Sequence, residues 1–125
     1  MTLPRSFLLT ALVYALAGMG LGIHMGIGQD FAAAPVHAHI NLVGWVTMAL
    51  FGLIHRAYPA LEKIKLAWPQ FWICQAGALL LVIGIARSIF ADEHVIVAIG
   101  SILTILSMVL FLAMALIGLR DEPTR

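Results

Sequence analysis

Residues 35–54 read PVHAHINLVGWVTMALFGLI. The run is apolar except at His37, His39, Asn41 and Thr47. Its length matches the roughly 20 residues that a helix needs to cross hydrocarbon. Pro35 suits the first helical turn, where its missing N–H is harmless. Two imidazoles at adjacent turns of a membrane helix are unusual, because polar groups in hydrocarbon are costly and usually mark function. Successive helical residues lie about 100° apart, so His37 and His39 project to nearly opposite flanks. One ion held by a single helix would favour an i,i+3 or i,i+4 pair. The i,i+2 pair is instead placed to serve two separate sites, one on each flank.

Composition agrees with a membrane helix. Of 125 residues, 62% are hydrophobic and 10% charged, with a mean hydropathy of +1.04. A soluble domain is about half apolar and about a quarter charged. The chain therefore reads as an all-α integral membrane four-helix bundle, a single domain over residues 1–125, with the lipid bilayer as its main partner. A net charge of +1 gives no reason to expect nucleic acid. Four apolar runs predict helices over about 6–28, 35–58, 70–90 and 94–119. The first lacks a small-x-small cleavage site, so it is read as a retained helix and not a signal peptide. Cys74 stands alone in an apolar run, as a small core residue would. Pro59 and Pro69 bracket a short connection in which Leu61, Ile64, Leu66 and Trp68 could form an interfacial turn.

Basic residues set the expected orientation. Arg5, Arg56, Lys63, Lys65, Arg120 and Arg125 fall at one end of the four runs, and only Arg87 at the other. The positive-inside rule then predicts both termini in the cytoplasm, the membrane being a bacterial inner membrane. His24, His37, His39 and His94 gather at the opposite, outer end. His55 lies beside Arg56 at the inner end, and both it and His94 are read as interfacial anchors. His24 is a ligand, a partner of one, or a residue facing a polar cavity. Along the second run His37, Asn41, Gly44 and Met48 share one stripe, while His39, Val43, Val46, Leu50 and Leu53 share the other. Gly44, below His37, either leaves space for a large flat ligand or is a packing glycine like Gly52. Ala11, Ala15, Gly18, Gly22 and Gly26 form a small-residue seam on the first run that permits close helix approach.

The stretch from His37-Ala-His39-Ile-Asn-Leu-Val-Gly-Trp through Gly52, His55 and Pro59 resembles the tenth helix of subunit I in the haem-copper oxidase and nitric oxide reductase superfamily. There, an H-x-H pair serves two haems, the first His holding the high-spin and the second the low-spin haem. His37 also resembles the His-Ala start of that subunit's second helix, whose His is the other low-spin ligand. The subunit's twelve helices form three arcs of four around a pseudo-threefold axis. This chain looks like one such arc existing as a separate protein. The copper-holding features of the family, a second adjacent histidine pair and an H-x-x-x-Tyr helix, are missing. The resemblance thus implies no autonomous oxidase activity.

What the resemblance implies is a b-type cytochrome with bis-histidine low-spin haem b. Such a haem has no vacant position and suits electron transfer. His37 and His39 would be the ligands, with Asn41 and Gly44 lining the His37 flank. Arg87 would pair with propionates, or else with Asp92 or Glu93. No C-x-x-C-H is present for covalent attachment. Because one protomer offers each haem a single ligand, a homotrimer is expected, with His37 of one copy facing His39 of the next, and the seam on the first helix providing contacts. A redox partner protein or quinone would exchange electrons. An alternative is copper, zinc or nitric oxide binding at His37, His39 and His24, with Met19 and Met25 nearby. A third reading is a structural subunit without a prosthetic group.

Overall fold

A computed structural model describes residues 1–120. Its elements are α1 (Leu3–Gly28), α2 (Ala34–Ala57), α3 (Ala67–Ala91) and α4 (Val95–Gly118), and no strand occurs among the described residues. All four helices are long and apolar enough to span a bilayer, so the chain is an integral membrane four-helix bundle. Arg125, one of the basic residues used to orient the chain, lies outside the described residues.

The helix limits depart from the hydropathy runs where proline sits in a first turn. Pro4 and Pro69 lie inside the starts of α1 and α3. The first N–H groups of a helix have no intrahelical partner, so proline loses nothing there. Both helices consequently begin three residues earlier than expected, at Leu3 and Ala67. Between α2 and α3 the chain makes a 3₁₀ turn over Pro59–Lys63. Leu61, expected at an interface, is wholly buried in it, while Leu66 after the turn and Trp68 in the first turn of α3 are exposed.

The termini of the bundle share one end with Arg5, Arg56, Lys63, Lys65 and Arg120, hereafter the basic end. The core lies in that half. Leu3, Phe7 and Ala11 of α1 meet Met48, Ala49 and Phe51 of α2, Phe71, Cys74 and Ala78 of α3, and Phe111 and Met114 of α4. Gln70 donates to Ser107 Oγ at 3.2 Å across α3 and α4. Gln75 donates to Thr10 Oγ1 at 2.8 Å and reaches Met48 Sδ at 3.2 Å, tying α3 to α1 and α2.

Two helix pairs carry the rest of the packing. In α3 and α4 the backbones approach closely through glycine. A Cβ on Gly84 would lie 2.3 Å from Val97 N, and one on Gly100 would lie 2.3 Å from Leu81 N. Gly77 meets the backbone of Leu103 and Thr104 in the same way. In α1 and α2 the expected small-residue seam is present, but α2 covers it. Ala11, Ala15 and Gly18 are buried. That part of the seam is occupied within the chain and Gly22 lies against His37, so most of the surface expected to contact another copy is taken up by α2, while Gly26 has no neighbour where a Cβ would be.

α2 is not a uniform α-helix. Ala34–His39 is α-helical, Ile40–Thr47 is π-helical, and Met48–Ala57 returns to α-helix. Thr47 Oγ1 donates to Leu42 O at 2.7 Å, five residues back, in keeping with the wider turn. Such π segments are rare and are frequent at functional sites.

Candidate functional site

The π segment follows directly on His37-Ala38-His39, which places the pair on the last α-helical turn before the backbone widens. The His37 ring lies against α1. Its Nδ1 is 2.9 Å from Gly18 O, and a Cβ on Gly22 would touch its Cε1 at 2.9 Å. His39 Nδ1 is 2.9 Å from Pro35 O, one turn back on its own helix. A carbonyl oxygen only accepts, so Nδ1 carries the proton in both rings. Nε2 of each neutral imidazole is then an unprotonated lone pair. Metal-bound histidines have this arrangement, with the second nitrogen fixed by a carbonyl or carboxylate.

Asn41 completes the His37 flank. Its Nδ2 donates to His37 O at 2.9 Å and stands 3.4 Å from Nε2 and 3.5 Å from Nδ1 of the same ring. Near-equal distances to both nitrogens put the amide over the ring face, so it does not cap the in-plane Nε2 lone pair. Close approach of Asn41 is possible because Gly18 has no side chain. A Cβ there would lie 2.6 Å from Asn41 Nδ2.

The stripe His37, Asn41, Gly44 and Met48 does share one face, and that face is turned to α1. Gly44 opens no space for a flat ligand, contrary to one of the two readings above. Tyr14 fills it, with Cγ and Cδ1 both 2.5 Å from where a Gly44 Cβ would be. His39 belongs to the other flank, where Leu42, Val46, Leu50 and Leu53 are exposed, whereas Val43, expected on that stripe, packs against the core. Among the described residues no hydrogen bond or ion pair joins the two histidine side chains.

The remaining candidates lie apart. Arg87 pairs with Glu93 at the α3–α4 turn, one of the two partners expected for it besides propionate. In the same turn His94 bonds Ser88 Oγ at 2.8 Å and approaches Asp92 at 3.2 Å. It thus ties the turn together, beyond anchoring it at an interface. His24 is exposed, and no hydrogen bond is formed by its side chain among the described residues. No three His, Cys, Asp or Glu side chains come together as a metal-holding group among the described residues.

His55 departs most from expectation. It is wholly buried, not an interfacial anchor. Its ring stacks on Phe7 at 5.8 Å and 13° and meets Phe111 edge-on at 5.7 Å. Neither ring nitrogen has a hydrogen-bond partner among the described residues. Its place was hinted at by spacing, since His55 continues the α1-facing stripe one turn beyond Gly52.

No family model, no curated protein and no solved structure matches this chain. The functional reading therefore rests on the residues themselves.

Proposed function

We propose that this chain is a b-type haem-binding membrane protein in which His37 and His39 supply axial ligands through Nε2. The observation that carries the reading is the pair of Nδ1–carbonyl contacts at 2.9 Å, which fixes both tautomers and both ring orientations. Bis-imidazole haem supplies reversible one-electron transfer, with no open position for oxygen. The protein's part is to hold the rings. Gly18 O and Gly22 set the plane of His37, Asn41 covers its face, and Pro35 O sets His39.

The two ligands stand on opposite flanks, so one chain offers a single imidazole to each haem. We infer a cyclic homotrimer, in which the half-buried His37, at the seam between α1 and α2, faces the His39 flank of the next copy and no ligand is left over. The exposed apolar stripe Leu42, Val46, Leu50 and Leu53 below His39 gives the porphyrin edge and the neighbouring copy a surface to cover. By the positive-inside rule the basic end, with both termini, faces the cytoplasm of a bacterial inner membrane, and the haems lie towards the outer leaflet. A redox partner protein or quinone would exchange electrons with them.

The detergent-purified protein should give a low-spin reduced-minus-oxidised spectrum with one haem per chain. His37→Ala and His39→Ala should each lower haem retention more than about a hundredfold, since even groups behind a ligand are worth about 10–100-fold. Wild-type absorption in both variants would overturn the assignment. A fully loaded monomer in native mass spectrometry would overturn the trimer.

A further inference from the structure

A groove of about 340 Å³ runs between the start of α1 and the end of α2 at the basic end. Arg5 and Arg56 line its mouth, Leu8 and Leu53 its walls and Gly52 its floor. Arg5 and Leu8 stand at i,i+3, as do Leu53 and Arg56, so each helix presents a cation above a leucine on one face. Both arginines and both leucines are exposed. Neither arginine is ion-paired among the described residues. Arg5 lies in the first turn of α1 and Arg56 in the last turn of α2, so the cations sit at headgroup depth. The leucines lie one turn deeper, at the level of acyl chains.

We propose that this groove binds one anionic glycerophospholipid, with its phosphate between Arg5 and Arg56 and an acyl chain along Leu8, Gly52 and Leu53. Charge and depth together select this occupant. Arginine forks match phosphate oxygens, and the one carboxylate in the lining, Glu62, leaves a net charge of +1 to meet a phosphate diester. Thr2 adds a hydroxyl at the same level. A zwitterionic lipid carries a cationic headgroup that the two arginines would repel. Gly52 lets α1 approach α2 closely, since a Cβ there would lie 3.0 Å from Pro4 O, so one acyl chain can touch Leu8 and Leu53 at once. Juxtamembrane arginines are each worth a few-fold in affinity for anionic lipid, so the pair should give about 30-fold.

The test is native mass spectrometry of the delipidated full chain in detergent, titrated with phosphatidylglycerol and with phosphatidylcholine of the same acyl chains. Phosphatidylglycerol should be retained preferentially. Arg5→Gln/Arg56→Gln should weaken it about 30-fold, and Arg56→Gln alone about 5-fold, without changing phosphatidylcholine binding. Lys63→Gln/Lys65→Gln, which alters charge at the same end but outside the groove lining, should keep the preference. Equal binding of the two lipids, or an arginine variant that keeps the preference, overturns the proposal. So does an equal loss in the lysine variant, which would signal charge at this end of the bundle and not a groove. Displacement of the lipid by inorganic phosphate at equal concentration would overturn the lipid as occupant.

Discussion

At the histidine end of α2, His37 and His39 each donate Nδ1–H to a backbone carbonyl at 2.9 Å. Near the basic end of the same helix, His55 is wholly buried between Phe7 and Phe111, and neither nitrogen finds a partner among the described residues. One residue type thus does two jobs. The first two rings are held in one orientation by a directional bond and keep a lone pair in reserve. The third serves as a flat aromatic plate. Burial alone would rank His55 as the most functional of the three. Hydrogen bonding reverses that order, because a ligand needs its second nitrogen fixed and its first one free.

The largest effect expected from this contrast is at His55. His55→Ala leaves a cavity between Phe7 and Phe111 and should cost about 2–5 kcal/mol in reversible unfolding in mixed micelles. His55→Phe keeps a ring and removes two unpartnered nitrogens, so it should change stability by less than about 1.5 kcal/mol. Folded protein of both variants should retain its full haem content, unlike His37→Ala. Equal destabilisation by the two substitutions would mean that the imidazole nitrogens do matter, and the contrast would fail.

A middle-sized effect is expected at Gly44. Gly44→Ala puts a methyl into the Tyr14 ring and should cost about 1–3 kcal/mol. Gly26→Ala, where an added Cβ would meet nothing within 4 Å, should stay within about 0.5 kcal/mol. If Gly44→Ala proves as mild as Gly26→Ala in the same unfolding assay, α1 and α2 are less tightly matched at the histidine end than the geometry requires.

Thr47→Val should give the smallest change, about 0.6 kcal/mol, by removing the Oγ1 bond to Leu42 O in the π segment. A loss above about 2 kcal/mol would show that this hydroxyl holds the wide turns in place. The histidine end would then be the more fragile half of α2.

The four spans were legible because hydrocarbon imposes its own length and composition on any helix that crosses it. The α1-facing stripe of α2 was legible too, since 3.6-residue periodicity links His37, Asn41, Gly44 and Met48. What covers a stripe depends on a partner helix, and that is where expectation and structure part. Gly44 is matched by Tyr14, a residue with no feature of its own in the sequence. Gly77 and Gly84 lie seven residues apart, a spacing that puts both on the α4-facing side of α3 and marks the close α3–α4 contact. The π segment left no compositional trace, because INLVGWVT satisfies an α-helix equally well. His55 looked interfacial beside Arg56, and only the convergence of Phe7 and Phe111 from distant parts of the chain explains its burial.

The unequal apolarity of the spans bears on how the chain enters the membrane. α4 is the most apolar helix and α2 the least. α4 can partition into lipid on its own hydropathy. α2 carries His37, His39, Asn41 and His55, each a penalty in a lone helix. Against α1 that penalty falls, since Gly18 O accepts from His37 and Phe7 stacks on His55. Entry as an α1–α2 hairpin therefore costs less than entry of α2 alone, and α1 acts as the chaperone of the helix that follows it.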